Sequence, residues 1–351
     1  MKTIILHAGT HKTGTTALQM FASQESEVLQ QSGIYYPRSG RPRAQFQDGH
    51  HLLPWSVAGR HMDDAHGSAR GEGSTTGVWS ELIREVSARP EQVILLSSEE
   101  FSLLSREQVQ VVAELLSGFH VVPLLYFRRY DEYIQAMYST VVLGFGETHT
   151  VSEYADRMKE VLDYSRMVLA WRTSFADTFV CRPFYRRTLL SQSILCDILN
   201  PLGVDVSSSQ LAAFARTNSG VAGNLVECAR LLNRVRASEP STLIRFTNLS
   251  RWLYDGHVSY EFLAPTVRRT LIARTIEFFE QEFRGLTSEA LWDHLRGRDV
   301  PESDNAWRAA HGRPYGWLVR TLVDIVSNLP SAMPPLRVPR RALSTIRSQW
   351  L

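Results

Sequence analysis

The chain has very few cysteines. Only Cys181, Cys196 and Cys228 occur among its 351 residues, and none of them lies in a C-x-x-C spacing. An odd and dispersed set is not typical of a disulfide framework or of a zinc site, and it favours a reducing compartment. We therefore expect a cytoplasmic protein with no structural disulfide and no metal centre.

Long hydrophobic runs are also missing. No uninterrupted apolar segment reaches the roughly 18 residues that a membrane-spanning helix needs. The first residues enter a predicted strand without a basic segment, a long apolar segment or a small-residue cleavage site. These features predict a chain without a signal peptide and without a transmembrane segment.

An excess of one charge is absent as well. The chain has 38 Lys and Arg residues against 36 Asp and Glu residues, for a net charge of +2. This balance gives no reason to expect a nucleic-acid partner. With 44% hydrophobic residues, the chain is long enough to bury a sizeable core, as one large domain or as one domain with an extension.

What is present begins at the N-terminus, where a short strand, a glycine loop and a helix start follow one another. An apolar run over 4–6 is suited to a buried strand, Gly9 and Gly14 bracket a tight loop, and Thr15 and Thr16 open an amphipathic helix. In this arrangement backbone N–H groups converge and the helix dipole favours an anion, so the segment predicts a phosphate site. The alternative is a glycine-rich turn that binds no ligand.

The position of the lysine separates this loop from the common P-loop, G-x-x-x-x-G-K-[ST]. Gly9 and Gly14 have the P-loop spacing, but Thr15 follows Gly14 and the only lysine is Lys12, inside the loop. A lysine there should reach the far end of a bound phosphate chain. A P-loop kinase would need a lysine after Gly14 and an acid that binds Mg²⁺.

A second predicted strand, over 92–96, runs into two serines and the glutamates Glu99 and Glu100. Open α/β sheets place their sites at the carboxyl ends of strands. A carboxylate there can act as general base for a hydroxyl or amine nucleophile. The alternative is a cluster that only caps a helix, and the sequence does not choose between the two glutamates.

A third predicted strand, over 120–127, leads directly into Arg128 and Arg129. Guanidinium groups at a strand end match phosphate oxygens well, so this pair predicts a second anion site. The alternative is a surface pair bonded to Asp131 or Glu132. Pro123 lies within the strand and predicts an edge position or a local bulge.

The segment 38–80 is rich in Gly, Ser, Arg and His and has weak periodicity. It is too long for an ordinary connection, so we expect it to be functional or mobile. Its adjacent histidines, His50 and His51, are candidates to deprotonate an acceptor hydroxyl. The alternative is a pair of histidines bonded to backbone or exposed at the surface.

The pattern H-K-T-G-T-T resembles the 5′-phosphosulfate-binding loop of the bacterial type of sulfotransferases that depend on PAPS (3′-phosphoadenosine 5′-phosphosulfate). In that family the loop lysine contacts the bridging oxygen, and the hydroxyls after the glycine bind the 5′-phosphate. The resemblance covers roughly residues 1 to 240, in order. It implies a cofactor-binding loop made of Gly9, His11, Lys12, Thr13, Gly14, Thr15 and Thr16.

The same resemblance implies roles for the other segments. Many bacterial members carry a His-His-x-Leu segment, which is matched at His50 and His51, and carbohydrate-sulfating relatives use a glutamate after the second strand as base. The third strand end binds the 3′-phosphate through an arginine and a serine eight positions later. Arg128 fits the arginine. The serine position falls on Ala136, a departure for which Ser139 is a candidate substitute.

A turn-forming stretch over 216–220 precedes a predicted helix from Val221. In relatives the corresponding loop covers the nucleotide, which implies cofactor binding by Asn218. The alternative is that Asn218 or Ser219 only caps the helix.

Strands alternate with helices along the chain, so we expect an α/β fold with a mainly parallel central sheet and helices on both faces. The resemblance implies a P-loop-like sulfotransferase domain over 1–290, with an acceptor-side insertion over 38–80. A mostly helical extension and a basic tail are expected over 291–351. That tail is a candidate contact for an acidic partner, a membrane surface or a second subunit in a homodimer, or simply a packed terminus.

Two anion sites at neighbouring strand ends suit a nucleotide with phosphates at both its 5′ and 3′ positions, whereas ATP would use only the first site. The sequence therefore predicts transfer of a sulfuryl group from PAPS to a hydroxyl or amine of a small molecule, carbohydrate or natural product, giving PAP. No metal is assigned to this transfer. The alternatives are a P-loop kinase and a nucleotide-binding protein without chemistry.

Overall fold

The computed structural model describes residues 1–42, 48–59, 75–158, 163–215, 221, 223–235, 246–247 and 263–301. The chain divides into two compact units. The first, here called the sheet unit, comprises Met1–Met137, Ala155–Asn218 and Pro265–Glu302. The second unit comprises Tyr138–Tyr154, Ser219–Ala264 and Ser303–Leu351.

The sheet unit is built on five parallel strands in the order β2-β3-β1-β4-β5. The strands are β1 (Thr3–His7), β2 (Ile34–Tyr35), β3 (Val93–Ser97), β4 (His120–Arg128) and β5 (Val180–Phe184). Parallel neighbours that are far apart in sequence require crossover connections, and here these contain helices. The predicted α/β class with a parallel sheet is confirmed.

The helices follow the strands along the chain. They are α1 (Thr15–Gln24), α2 (Ser26–Gln31), α3 (Leu52–Val57), α4 (Thr75–Ser87), α5 (Arg106–Leu115), α6 (Tyr130–Phe145), α7 (Val151–Met158), α8 (Tyr164–Phe175), α9 (Ile194–Leu199), α10 (Ser208–Ala215), α11 (Gly223–Val235), α12 (Pro265–Glu282) and α13 (Glu289–Leu295). Among these described helices, none combines the length and the apolar character that crossing a membrane requires.

Helices cover both faces of the sheet. Successive residues of β4 contact different faces, because alternate side chains of a strand point to opposite sides. On one face Tyr126 belongs to a buried cluster with Phe21 of α1 and Leu195 of α9. On the other face the ring of the next residue, Phe127, lies 5.1 Å from the ring of Phe278 in α12. The alternation of β4 thus carries one residue into each half of the core.

Pro123 is not at the sheet edge, so the edge expectation is wrong. β4 lies between β1 and β5, and Pro123 pairs with Leu6. The pairing of β5 begins only at Leu124, opposite Val180. Even-numbered residues of β4 bond to β1, as when Leu124 O accepts from Ala8 N. The nitrogen of Pro123 therefore faces the side where no strand has yet begun, and its missing N–H costs no ladder hydrogen bond.

The helical region that begins at Thr15 is divided in two, because α1 ends at Gln24 and α2 starts at Ser26. Glu25 leaves the helical region at φ −102° and ψ 35°. The bend keeps Leu29 of α2 in the same buried cluster as Phe21. The segment 38–80 is also more regular than its composition predicts, since it contains α3 and the start of α4.

The C-terminal part is helical as far as it is described. Helices α12 and α13 belong to the sheet unit. The part of the expected extension after residue 301, with the basic tail, lies outside the described residues. A domain boundary at residue 290 therefore remains a prediction.

In the second unit, α11 is tied to the turn that follows α6. The Arg230 guanidinium donates to Thr148 O at 3.0 Å. The Asn233 amide donates to Val142 O at 2.7 Å and to Glu147 O at 3.1 Å. These bonds satisfy carbonyl groups at the end of α6.

Candidate active site

A crevice lies at the carboxyl edge of the sheet beside β1, because the connections that follow β1 and β3 run over opposite faces of the sheet. After β1 it enters α1, which packs on the Tyr126 face. After β3 it enters α5, which contacts α8, on the face where Phe127 packs against Tyr164. Adjacent strands whose connections diverge leave a crevice at their carboxyl ends, where open α/β sheets bind ligands.

The glycine loop lies at this crevice, and its backbone has two residues in the left-handed region. Gly14 is the N-cap of α1 with φ 84°, and Lys12 has φ 66°. A Cβ at Gly14 would lie 2.9 Å from Cγ2 of Ile194. Both the positive φ and the close contact require glycine there. The left-handed Lys12 is a strained position of the kind that occurs at ligand-binding loops.

The loop presents a continuous run of unbonded N–H groups. Within the part of the chain that the structure describes, the backbone N–H groups of residues 11–16 have no hydrogen-bond acceptor. The first turn of any helix leaves such groups, but here the loop residues extend the run before the helix begins. This arrangement can hold a phosphate or sulfate group.

Two threonines hold the loop in shape from inside. The Thr10 hydroxyl donates to Tyr126 O at 2.9 Å, and the Thr13 hydroxyl donates to Thr10 O at 2.6 Å. Thr13 is fully buried, so its hydroxyl positions the loop, and only its N–H group is left to face a ligand. Thr16, in contrast, is exposed at the start of α1.

Lys12 lies in a partly desolvated place between opposite charges. Burial lowers its pKa, Glu99 opposes this shift, and Arg128 adds to it. The Arg128 guanidinium also donates to Lys12 O at 3.1 Å. The two predicted anion sites therefore contact each other directly. A ligand with negative charge would offset the repulsion between the two cations.

His50 is bonded at both ring nitrogens. Nδ1 accepts from the Ser97 N–H at 3.1 Å, so Nε2 carries the hydrogen and donates to Pro37 O at 3.0 Å. The side chain is fully buried, and burial lowers the pKa of His50 to about 3. Among the four candidate bases, His50 is thus a neutral residue that attaches its segment to the end of β3.

His51 faces the crevice instead. Its Nδ1 lies 2.8 Å from the Ser98 hydroxyl oxygen, and its ring stacks on Trp55 at 5.5 Å. Nε2 has no hydrogen-bond partner among the described residues. One ring nitrogen is therefore held by the protein and the other is available to a substrate, as a general base requires.

Glu99 is held from two sides. The Gln19 amide donates to Oε2 at 3.0 Å, and His11 Nδ1 lies 3.9 Å from Oε1. Burial would raise the pKa of Glu99, but nearby His51 and His11 lower it below its usual value. Glu100 lies 3.4 Å from His11 Nε2. Burial lowers the pKa of His11 despite both carboxylates. The crevice thus contains an ionised carboxylate beside two imidazoles.

Arg128 and Arg129 have separate environments. Each is hydrogen-bonded to one of the two acids, Asp131 and Glu132, that the sequence suggested as partners. Arg128 Nε donates to Glu132 at 3.0 Å and remains partly exposed beside the loop. Arg129 is fully buried, with Nε donating to Asp131 at 2.7 Å and Nη1 donating to Asp299 at 2.6 Å. Only Arg128 can therefore face a ligand at the crevice.

Two further residues, Ser139 and Asn218, are predicted to bind the cofactor. Ser139 is buried, follows Ala136 by nearly one turn of α6, and belongs to the second unit. Asn218 lies outside the described residues. Both assignments remain predictions.

The structure adds three residues that the sequence motifs did not single out. Gln19 holds Glu99, Ser98 holds His51, and His7 Nδ1 lies 2.9 Å from the Ser97 hydroxyl. A Cβ at Gly9 would come within 2.8 Å of His7 Nε2, so the loop packs directly on this imidazole. Gln19 had a signal in the sequence, because it is a polar residue on the otherwise apolar face of α1.

Among the described residues, no group of three or more His, Cys, Asp and Glu side chains is arranged to hold a metal ion. No protein-family model matches the chain, and no curated protein matches it either.

Among the solved structures that resemble the chain are two sulfotransferases. One, from Alicyclobacillus acidocaldarius, is 15% identical and has a TM-score of 0.35 over 87% of this chain and 98% of that one. The other, mouse sulfotransferase SULT7A1 complexed with PAP, is 13% identical and has a TM-score of 0.39 over 84% of this chain and 88% of that one. At such scores neither likeness carries an argument about function, which depends on the site itself.

Proposed function

We propose that this chain is a sulfotransferase that moves the sulfuryl group of PAPS to a hydroxyl or amine of an acceptor. The observation that carries the proposal is the loop over 9–16, which combines a run of unbonded N–H groups with Lys12 inside the loop. A P-loop kinase would have its lysine after Gly14, where this chain has Thr15. The acceptor class extends to small molecules, carbohydrates and natural products.

The loop residues suit the 5′ end of PAPS. The N–H groups of residues 11–16 and the Thr15 and Thr16 hydroxyls would hold the 5′-phosphate at the helix N-terminus. Lys12 would stabilise the charge that develops on the oxygen between phosphorus and sulfur as the bond from sulfur to this oxygen breaks. Arg128 would bind the 3′-phosphate, which requires that the phosphate replace Glu132 as its partner.

His51 is the general base in this proposal. Its Nε2 takes the acceptor proton while the acceptor oxygen or nitrogen forms its bond to sulfur and the bond from sulfur to the bridging oxygen breaks. Ser98 holds the other ring nitrogen, and the charge of Glu99 stabilises the imidazolium that forms. Glu99 and Glu100 remain the alternative bases, whereas both nitrogens of His50 are already bonded.

The first test compares the thermal stability of the protein with PAP and with ATP plus Mg²⁺. A ligand at about 100 times its Kd adds about 2.7 kcal/mol to the free energy of unfolding, which is a measurable shift. We expect the shift with PAP and expect Arg128→Ala to remove most of it. A shift with ATP and Mg²⁺ alone would refute the proposal and favour a kinase.

Turnover then separates an enzyme from a nucleotide-binding protein without chemistry. A screen of hydroxyl and amine acceptors with PAPS should yield PAP. Lys12→Ala should lower that turnover at least about 100-fold, as removal of one preorganised donor does, while the folded protein keeps its stability. Full turnover of this variant would exclude Lys12 from the mechanism. PAP binding without turnover on any acceptor would favour the non-catalytic alternative.

A further inference from the structure

A second charged cavity lies away from the glycine loop, between α1, α2 and the edge strand β2. Its volume is about 400 Å³, which is within the range of small-molecule sites. We call it the arginine cleft. It is lined chiefly by Ser23, Gln30, Tyr36, Arg38, Arg41 and Arg89. No residue of the glycine loop or of the β3 end lines it.

The lining of the arginine cleft has three cations and no carboxylate among its described residues. Arg89 is already neutralised, since it donates to Glu91 at 2.7 and 3.1 Å. Its guanidinium lies 4.2 Å from the centre of the Tyr35 ring, so it forms a wall. The charge available to a ligand therefore belongs to Arg38 and Arg41.

Arg41 is the decisive residue. It is half-buried, and its guanidinium lies 5.2 Å from the centre of the Tyr36 ring. Within the described part of the chain, the only hydrogen bond of this guanidinium goes to the Ser23 hydroxyl at 3.0 Å. A guanidinium has five N–H donors, so most of those of Arg41 have no acceptor among the described residues. These donors are available to an anion that enters the cleft.

Arg38 adds a second guanidinium at the opening of the arginine cleft. Its side chain is exposed and has no partner among the described residues, although its backbone N–H donates to Glu85 at 2.9 Å. Two guanidinium groups beside the hydroxyls of Ser23 and Ser26 match the oxygens of a tetrahedral anion.

We propose that the arginine cleft is a binding site for a small molecule that carries a sulfate or phosphate ester, held by Arg41 and Arg38. This site is separate from the PAPS site proposed above, and it stands whether or not that proposal holds. It also adjoins the segment that carries the candidate base, because its lining contacts His50, the residue before His51. Tyr36 forms a wall of the arginine cleft, donates its hydroxyl to Asp48 O at 2.7 Å and packs its ring on His50 at 4.6 Å.

The test uses the full chain with Lys12→Ala as background, so that anion binding at the glycine loop is weakened. Arginine modification by phenylglyoxal, followed by peptide mass spectrometry, reports each guanidinium separately. A sulfated disaccharide, PAP and inorganic sulfate are the probes, and the first two distinguish a sulfate ester from a phosphate ester. We expect an ester probe to slow modification of Arg41 and Arg38 at least about tenfold, with inorganic sulfate weaker.

Arg84 is the matched internal control, because it is an exposed arginine on α4 that does not line the cleft. Its modification should not change with any probe. Equal protection of Arg84, or no protection of Arg41 by either ester, would overturn the proposal. Protection by inorganic sulfate equal to that by both esters would also overturn the assignment to a small-molecule ester.

A variant gives an independent measurement. By calorimetry, Arg41→Met should bind the better ester at least about tenfold more weakly, because the charge-assisted hydrogen bonds to the ester are lost. Arg84→Met removes the same charge and should bind unchanged. Equal binding by all three proteins would overturn the proposal. Should Arg41→Met fail to fold, the protection experiment on the parent chain still decides.

Discussion

At the scale of single residues, two neighbours in sequence have different hydrogen-bond partners and different roles at this site. His50 and His51 look alike in the sequence, yet one has both nitrogens bonded to backbone and the other leaves Nε2 toward the crevice. The difference follows from the partners that folding supplies, since His50 is bonded to Ser97 N and Pro37 O whereas His51 contacts the Ser98 hydroxyl. A motif of two histidines thus contains one structural residue and one candidate base.

The two histidines should therefore respond differently to the same substitution. We expect His51→Gln to lower kcat by about 100-fold or more, the usual contribution of a general base, with little change in stability. We expect His50→Gln to cost about 1–3 kcal/mol of stability, because buried partners lose their hydrogen bonds, while the folded protein keeps its turnover. Steady-state kinetics and denaturant unfolding on both variants check this.

Glu99→Gln is the companion variant for the base assignment. We expect Glu99→Gln to lower kcat less than His51→Gln does, because Glu99 contributes its charge and takes no proton from the acceptor. Normal kcat in His51→Gln, together with a loss of at least about 100-fold in Glu99→Gln, would instead identify Glu99 as the base.

At the scale of elements, the end of β4 combines two functions. Arg128 faces the loop through Lys12 O, and Arg129 is enclosed by Asp131, Asp299 and the backbone of His294. The segment after α13 is therefore fastened to the strand that carries the candidate anion site. Contact between residues 170 positions apart has no signal in the sequence.

Substitution of these two arginines by methionine should separate the functions. Arg129→Met should cost about 3–5 kcal/mol of stability, because Asp131 is fully buried and loses a direct partner. Arg128→Met should cost no more than about 1 kcal/mol, since its ion pair with Glu132 is partly exposed. Denaturant unfolding measures the first effect.

The stabilisation induced by PAP measures the other function, which is binding of the ligand at the proposed 3′-phosphate site. It should be lost in Arg128→Met and retained in Arg129→Met under conditions where that protein is folded. The reverse pattern would show that Arg129, and not Arg128, binds the 3′-phosphate.

At the scale of the whole molecule, stability should fall in mild acid. Burial lowers the pKa of His50 to about 3 and the pKa of His7 to about 4, below the ordinary value of 6.5. Below pH 6.5 the unfolded chain binds protons that the folded chain excludes, so stability is present above that pH and is lost toward the folded values. Each histidine should contribute a loss of about 2 kcal/mol between pH 7.5 and 5.

Urea unfolding at pH 7.5 and 5 checks this, with His50→Gln as the control. That variant should lose about 2 kcal/mol less than the parent chain across the same interval, whatever its stability at neutral pH. An identical loss in both proteins would mean that His50 is not buried as a neutral group.

The fold was largely predictable from local patterns, for reasons visible in single elements. Buried strands read as short apolar runs, and Ser105 and Gln108 form the capping box that their spacing predicts at the start of α5. The predictions that fail depend on distant partners. The interruption at Glu25 serves a shared core, and Pro123 is tolerated only because β5 begins one residue later.

The sequence by itself determined the parallel α/β architecture and the place of the glycine loop, since strand, turn and helix signals lie within a few residues of one another. It also placed Glu99 and Arg128 after strand ends, and it named His51 as one of two candidate histidines in the segment 38–80. Only the tertiary structure decided that His51 rather than His50 faces the crevice, and which threonine hydroxyls are hydrogen-bonded inside the loop. It also decided that Arg41 lies half-buried with no carboxylate partner among the described residues. Burial and hydrogen-bond partners come from segments brought together by folding, and no local pattern encodes them.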